Sequence, residues 1–195
     1  MIIIKQIYRI LPIKIRFSIR QILKFFLYKF RYLTLKLAIF FNKEIKLIIG
    51  AALTSQKGWY STNEEWLDVS NPEHWNRLFK GKDNLKCVMA EHVFEHLTEK
   101  EMRIAIKLIH KYLYKNGHLR IAVPDGNHPN PEYRLNTGIN GIGPDAADHK
   151  QFITYEFMKM TLENNGFECQ IKEGYLDDGN LVESYLDNNL GFIMR

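Results

Sequence analysis

The sequence LKCVMAEHVFEHLTEKEMRIAIKLIHKYLYKNGHLRIAVPD, residues 85–125, decides the fold. Apolar runs at residues 86–90 and 119–123 predict two buried strands. Between them a capping box at Thr98 begins a helix with apolar residues at helical spacing, and the Asn-Gly pair at residues 116–117 ends it. Two strands joined by one crossover helix predict a βαβ unit, which belongs to a parallel sheet covered on both faces.

This unit predicts an α/β protein with a Rossmann-like, doubly wound and mostly parallel sheet. The remaining elements are predicted from the same patterns of apolar periodicity and cap residues. Helices are expected to begin after Asn71 and after Thr154. Strands are expected at residues 46–50, 59–65, 66–70 and 167–172, and a short helix at residues 181–186.

Charge is divided unevenly along the 195 residues. Residues 1–46 hold 11 Lys or Arg and one acid, which gives +10, whereas the rest holds 16 Lys or Arg and 21 Asp or Glu, which gives −5. Because the body is acidic, we expect no nucleic acid partner. The chain is divided here into a basic, apolar helical arm, residues 1–45, and one domain, residues 46–195.

The arm has no uncharged apolar stretch of ~18 residues, so it does not predict a spanning helix. It also lacks the cleavage site of a secretory signal. Two compatible interpretations stay open. Residues 1–43 anchor the chain on an anionic cytoplasmic leaflet, or the arm forms helices that pack on the sheet, with an interruption at Pro12. Cys87 and Cys169 are expected to be buried free thiols, so the chain is predicted to be cytoplasmic, peripheral on the inner membrane face if the arm is an anchor.

Polar residues follow both strands of the βαβ unit at the point where each strand ends. Glu91 and His92 follow the first strand, and Asp125 and His128 follow the second. Ligands of parallel sheets bind outside the carboxyl ends of the strands, so we expect the chemistry at this edge. The segment of residues 125–150 is predicted to be a long functional loop. It also carries Asp145, Asp148 and His149.

Residues 92–96 have the pattern H-x-x-E-H, the inverted spacing found in some zinc proteases. On one helix, His92 and His96 would share a face and bind zinc, with Glu95 as the general base. The motif instead crosses a strand end, because the helix start is marked at Thr98. A zinc hydrolase is therefore kept as an alternative, and the main prediction contains no metal.

The motifs MAEHVFEHLT at residues 89–98 and LYKNGHLRIAVPD at residues 113–125 resemble class I S-adenosylmethionine-dependent methyltransferases. The likeness is greatest to a bacterial-type branch, methyltransferase type 11-like, associated with cell-surface glycan genes. It extends over residues 46–179. Further motifs of that branch occur in the same order: a KLIIG strand at residues 46–50, Gly58-Trp59 ahead of Asn63, Asp148-His149 ahead of a Thr-x-Glu helix start, and Asn-Gly-Phe at residues 165–167.

The resemblance implies the class I fold, without part of its C-terminal hairpin, and S-adenosylmethionine as the cofactor. It also implies a small-molecule or glycan acceptor, such as a surface glycan or a lipid-linked sugar. The oligomeric state is left open. By the same resemblance, Gly50 and Ala51 would line the methionine part of the cofactor, and Asn63 would bind the ribose. Asp68 and Val69 would lie near the adenine, and Glu91 would flank the methyl group.

Catalysis in such a protein requires alignment of the acceptor with the methyl group and removal of a proton. Two departures from the family favour an alternative, an impaired or non-enzymatic binding protein of the same fold. Ala51-Ala52 replaces a glycine-rich turn, and Asn63 stands where an acid binds the ribose hydroxyls. The candidate bases and their helper are His92, His128, His149 and Asp125.

Overall fold

The computed structural model describes residues 12–41 and 43–183. Its elements are five α-helices, six strands and a 3-10 turn within these described residues. The helices are α1 (Ile13–Phe40), α2 (Pro72–Phe79), α3 (Glu99–Tyr112), α4 (Pro131–Thr137) and α5 (Tyr155–Glu163), with a 3-10 turn at Phe94–His96. The strands are β1 (Ile45–Ile49), β2 (Tyr60–Ser61), β3 (Leu85–Glu91), β4 (Leu113–Ala122), β5 (Glu173–Tyr175) and β6 (Leu181–Glu183).

Strands β1 to β4 form one parallel sheet in the order β2-β1-β3-β4. Ile49 of β1 pairs with Ala90 of β3, which pairs with Ile121 of β4. The predicted βαβ unit is confirmed as β3, α3 and β4. The chain moves outward from β1 to β2 and then returns past β1 to β3, so the order reverses between β1 and β3. Strands β5 and β6 form a separate antiparallel hairpin.

Helix starts follow the cap residues predicted from the sequence. Thr98 Oγ1 accepts a hydrogen bond from the Glu101 N–H at 3.3 Å, and the Glu101 carboxylate accepts one from the Thr98 N–H at 2.7 Å, so the capping box is confirmed. The side chains of Asn71 and Thr154 accept first-turn amides in the same way. Asn116 has the positive φ expected of it, +64°, but the predicted helix end is wrong, because α3 ends at Tyr112 and Asn116 lies within β4.

The larger apolar core lies on one face of the sheet. It joins buried strand residues to side chains from α1, α2, α3 and α5, among them Leu35, Leu47, Ile49, Trp75, Val88, Ala90, Met102 and Leu162. The opposite face carries a small cluster, made of Ile48, Ala51, Met89 and the half-buried Trp59. In the neighbouring row of that face Lys46 and His118 are exposed. Within the described residues, one face of the sheet is therefore buried far more extensively than the other.

The C-terminal half of α1 contributes to this core. Its buried residues, Tyr28, Arg31, Leu35, Ala38 and Ile39, form one face of the helix. Residues 13–27 are exposed or half-buried throughout. The interpretation that the arm packs on the sheet is therefore confirmed for residues 28–39, and residues 1–11 lie outside the described part. No helix among the described residues is long and apolar enough to cross a membrane.

Of the two strands predicted before α2, the first is confirmed only for two residues and the second is wrong. The strand expected at residues 59–65 is reduced to β2, and residues 66–70 form turns. The Asn63 carbonyl accepts hydrogen bonds from the N–H groups of Trp66 and Leu67, at 3.2 and 2.9 Å. The backbone therefore forms a turn directly after β2, although the apolar residues of this stretch are spaced as in a strand.

The strand predicted at residues 167–172 is wrong as well. Half-buried and exposed residues alternate along it as expected, but the stretch is irregular. The Phe167 N–H instead bonds back to the Leu162 carbonyl at 3.2 Å, which extends the end of α5. Cys169 lies in this stretch and Cys87 in β3. Both are free and half-buried rather than buried, and partial burial raises the pKa of each thiol.

Two further elements differ from expectation. The helix predicted at residues 181–186 is wrong in its first half, because Leu181–Glu183 pairs with β5 as β6, and residues 184–186 lie outside the described part. The segment of residues 125–150, predicted to be a loop, contains α4. Its cap is Asn130, whose side chain accepts the N–H groups of the first turn.

Candidate functional site at the carboxyl edge of the sheet

The loops that follow β1 and β3 touch each other where the strand order reverses. Gly50 follows β1 with φ +63°, and a Cβ placed on it would lie 2.6 Å from Cγ2 of Val93, in the loop after β3. Only glycine combines this φ with so little space. In open α/β sheets, the crevice beside such a reversal is where ligands bind. The expected edge thus exists, with Gly50 and Glu91 on its two sides.

His92, at the end of β3, has φ +53°, which is uncommon for a residue other than glycine. Its N–H donates to the Ala122 carbonyl at 3.0 Å, which fixes the backbone against β4. The ring is half exposed, and its Nδ1 lies 3.0 Å from Oε1 of Glu95. That hydrogen bond raises the pKa of His92. Strained backbone held by its surroundings occurs often at functional sites, which makes His92 a candidate functional residue.

Glu91 lies beside His92 but is turned into the sheet. Its carboxylate is buried and forms an ion pair with Arg120 of β4. Arg120 also lies 3.5 Å from the sulfur of Met89. The carboxylate is therefore held by a cation at the edge of the sheet.

Asn63, expected at the ribose, is part of an internal network. Its side-chain N–H donates to the Ala52 carbonyl at 3.2 Å, and its Oδ1 lies 3.5 Å from the Arg31 guanidinium. Arg31 reaches from α1 and donates to the carbonyls of Ala52 and Thr54 at 2.7 and 2.9 Å, and to that of Leu53 at 3.2 Å. Burial lowers the pKa of Arg31, which starts so high that the side chain stays cationic. The guanidinium thus holds the loop after β1 in its fold.

The other residues expected at the cofactor shape loops. The Ala51 N–H donates to the Thr62 carbonyl at 2.9 Å, which continues the pairing of β1 with β2. The Asp68 carboxylate accepts the N–H and hydroxyl of Ser70, at 2.9 and 2.8 Å. The Val69 carbonyl accepts the indole N–H of Trp75 at 3.0 Å. Asp68 and Val69 therefore anchor the segment between β2 and α2.

Asp125 binds the hairpin to the end of β4. Its two carboxylate oxygens accept the N–H groups of Asn127 at 2.9 Å and Tyr175 at 2.7 Å. His128 stacks on Tyr133 with ring centroids 4.0 Å apart and touches Tyr175 edge-on at 5.2 Å. Asp125 and His128 thus belong to one aromatic and amide cluster around the hairpin, in which Asp125 binds backbone amides.

His149 lies instead beside the H-x-x-E-H motif. It is buried, its Nδ1 lies 2.8 Å from the Thr137 carbonyl, and its ring meets that of His96 edge-on at 4.7 Å. Donor atoms of Glu95, His96 and His149 all lie within 4.8 Å of one another. The structure therefore joins two of the predicted bases, His92 and His149, through Glu95.

The H-x-x-E-H residues do not share a helical face, because His92 ends a strand and only residues 94–96 form a 3-10 turn. The geometry assumed for the inverted zinc-protease motif is therefore absent. Glu95 does not stand free as a base but bonds to the His92 ring. Sequence reasoning named Glu95 and His96 only for that alternative and missed Arg31. No sequence signal marked Arg31, because residues 13–41 are apolar on all sides and the burial of this side chain is seen only in the structure.

The chain also has two surface hollows. One, of about 340 Å³, runs between α1 and the loop before β2 and includes Phe30, Arg31 and Trp59 in its lining. The other, of about 470 Å³, lies on the outer face of α3. In comparisons with known proteins, no family model, no curated protein and no solved structure matches the chain.

Proposed function

We propose that the chain is a methyltransferase with a Rossmann-like, doubly wound class I fold that uses S-adenosylmethionine and acts on a small-molecule or glycan acceptor. The observation that carries the proposal is the reversal of strand order between β1 and β3, flanked by a positive-φ glycine, Gly50, and by Glu91 and His92. The resemblance of residues 46–179 to that family supports the same assignment.

The residues fit the methionine end of the cofactor better than the ribose end. Gly50 is exposed, and its backbone is open to a ligand at the crevice. Asn63 is engaged by Ala52 and Arg31, so its amide is not available to a ribose diol in this conformation. Glu64, next in sequence and exposed, is the neighbouring carboxylate that can take that role.

His92 is the residue best placed to take the proton released by the acceptor. It is half exposed at the crevice, and the Glu95 carboxylate orients its ring and stabilises its protonated form. The bound cofactor would supply an electrophilic methyl group, so the chain itself needs only to align the acceptor and accept this proton.

A second candidate, a non-enzymatic binding protein of the same fold, is favoured by the engagement of Asn63. A family position that binds ribose is here occupied by contacts within the chain. Calorimetric titration with S-adenosylhomocysteine separates the two. The methyltransferase proposal expects binding in the micromolar range, and a folded chain that shows no binding would leave the binding-protein proposal.

The matched variants for this titration are Gly50→Ala and Gly58→Ala. Both place a side chain at positive φ, +63° and +82°, but a Cβ at Gly58 meets nothing within 4 Å. Binding should be lost in Gly50→Ala and kept in Gly58→Ala if the ligand lies at the crevice. Equal binding by both folded variants would place the ligand elsewhere.

We also propose that α1 attaches the chain to an anionic bilayer, at the cytoplasmic face of the inner membrane. Its outward surface is apolar and aromatic, with Phe17, Phe26 and Phe30 each 61–65% exposed. Residues 13–41 contain seven Lys or Arg and no acid. An apolar helix face flanked by cations is typical of helices that lie in the interface of anionic membranes.

Co-sedimentation with vesicles of anionic and of zwitterionic lipid tests this attachment. Replacing Phe26 and Phe30 together by Ser should lower binding to the anionic vesicles more than ~10-fold, because each buried phenylalanine contributes about 1.5–3 kcal/mol. The control replaces Leu135 and Ile142, which are exposed to a similar degree outside α1. Equal loss in both double variants would show that the helix face is not the attachment site.

A further inference from the structure

Glu95 carries a buried carboxylate that is only half satisfied. The residue is 1% exposed. Oε1 lies 3.0 Å from Nδ1 of His92, whereas Oε2 is buried and has no hydrogen-bond partner. A buried carboxylate oxygen left in this way costs about 1–3 kcal/mol or more, so an unpaired Oε2 indicates that a bound group completes the site.

His96 and His149 supply the atoms that face this carboxylate. Donor atoms of the three side chains lie within 4.8 Å of one another. The Nδ1 of His149 is taken up by the Thr137 carbonyl at 2.8 Å, which leaves Nε2 as its acceptor atom. A histidine that donates its other ring N–H to a backbone carbonyl has the usual arrangement of a metal ligand.

Asp148 lies at the open side of the group. Its Oδ1 is 3.1 Å from Nδ1 of His96, without the alignment of a hydrogen bond, and its side chain is 75% exposed. Asp148 thus places a further, solvent-exposed carboxylate oxygen near His96. The backbone around the group is fixed, because the N–H groups of Lys150 and Gln151 both donate to the Glu95 carbonyl, at 2.8 and 3.2 Å.

We propose that Glu95, His96 and His149 form a binding site for a divalent first-row transition metal such as zinc. Two imidazoles and one carboxylate are a common ligand set for Zn²⁺ and for Fe²⁺. Metal–ligand bonds of about 2.0–2.1 Å require donor atoms roughly 3.3 Å apart, so donor atoms within 4.8 Å of one another need to approach by at most about 1.5 Å. His92 lies outside the ligand set and orients the carboxylate through Oε1.

This ligand set differs from the H-x-x-E-H alternative, in which His92 and His96 bind the metal and Glu95 acts as a base. The site shares Glu95 with His92, the proposed base, but Gly50 and the β1 loop, which would hold the cofactor, contribute nothing to it. Metal binding and cofactor binding are therefore separate claims, and each can fail while the other holds.

Titration of the chelator-treated full chain with Zn²⁺ by calorimetry, and with Co²⁺ by visible absorption, tests the proposal. We expect one equivalent to bind, and Co²⁺ to develop the absorption bands of a four- or five-coordinate site with nitrogen ligands. His96→Ala and His149→Ala should each weaken Zn²⁺ binding more than ~100-fold, and His92→Ala by ~10–100-fold, as expected of a residue that orients a ligand.

His118→Ala is the control, because His118 is an exposed histidine on β4 outside the group. Its Zn²⁺ affinity should equal that of the unchanged chain. Glu95→Gln covers the case in which His149→Ala does not fold, since it keeps the shape of the side chain and removes its charge. The proposal is overturned if the folded chain binds no Zn²⁺ at about 100 µM, a concentration well above the Kd of structural zinc sites. It is also overturned if His92→Ala abolishes binding while His149→Ala leaves it unchanged.

Discussion

At the scale of single residues, Gly50 in the β1 loop and Arg31 on α1 determine the conformation of that loop. Gly50 permits contact between the loops after β1 and β3, and the Arg31 guanidinium donates hydrogen bonds to the main-chain carbonyls of residues 52–54 in the β1 loop. The sequence indicated Gly50, because a glycine ending an apolar strand marks close backbone approach. It could not indicate Arg31, whose partners are main-chain carbonyls more than 20 positions away.

Gly50→Ala should lower the free energy of unfolding by about 2–5 kcal/mol. A side chain at φ +63° costs about 1–2 kcal/mol, and the clash with Val93 adds about 1–3 kcal/mol. Gly58→Ala should cost only the backbone part. Urea unfolding measures both, and Val93→Ala should recover part of the loss in the Gly50→Ala background. No recovery would contradict the proposed clash.

Arg31→Met should lower the free energy of unfolding by about 2–4 kcal/mol, because it leaves carbonyls of the β1 loop without their donor. Arg31→Lys should recover little, since an ammonium cannot reproduce the planar fork. Lys36→Met, at an exposed position of the same helix, should change stability by about 0.5 kcal/mol or less. Equal effects of Arg31→Met and Lys36→Met would show that the hydrogen bonds from Arg31 to the β1 loop do not stabilise the fold.

At the scale of elements, helix starts could be predicted more reliably than short strands. A cap residue acts on the backbone beside it, so Asn71, Thr98 and Thr154 can be recognised locally. Strand pairing depends on a distant partner, which is why residues 167–172 show strand-like alternation without a ladder. The missed helix α4 had a readable signal, since the tripeptide Asn-Pro-Glu begins both α2 and α4.

The capping box of α3 should make its stability depend on pH. Hydrogen bonds from Thr98 lower the pKa of Glu101 in the folded state. Its stabilisation is therefore complete above the ordinary glutamate pKa of about 4.3 and is lost as the pH falls through the lowered value. Glu101→Gln should be about 0.5–1 kcal/mol less stable at pH 7, a small effect because the carboxylate is partly exposed, and this difference should shrink as the pH falls below the ordinary glutamate pKa of about 4.3. If the difference in stability stays the same in acid, the ionised Glu101 carboxylate is not the group that stabilises the start of α3.

At the scale of the whole molecule, α1 has two surfaces with different tasks. Leu35 is completely buried in the core, whereas Leu33, two positions earlier, is 55% exposed. Apolar periodicity could not separate these surfaces, because residues 13–41 are apolar on all sides. The parallel sheet followed from the βαβ pattern, but the strand order depended on which edges meet in space.

Leu35→Asp should prevent folding, because a buried unpaired carboxylate in this core costs more than a marginally stable domain can lose. Leu33→Asp should leave the unfolding transition within about 0.5 kcal/mol and weaken binding to anionic vesicles. Circular dichroism and vesicle co-sedimentation on the same samples separate the two effects. If Leu33→Asp also unfolds the chain, the outward face of α1 is part of the fold and the membrane interpretation fails.

The strand order also determines how the chain meets its environment during synthesis. β1 has its main partner in β3, which begins 36 residues after β1 ends. At ~5–20 residues per second, β1 spends roughly 2–7 s outside its final sheet, with only the two residues of β2 to pair with. The apolar strand Ile45–Ile49 and the helix before it therefore leave the ribosome before the strand that covers them is made, and they are the first apolar parts of the described chain that a chaperone would encounter.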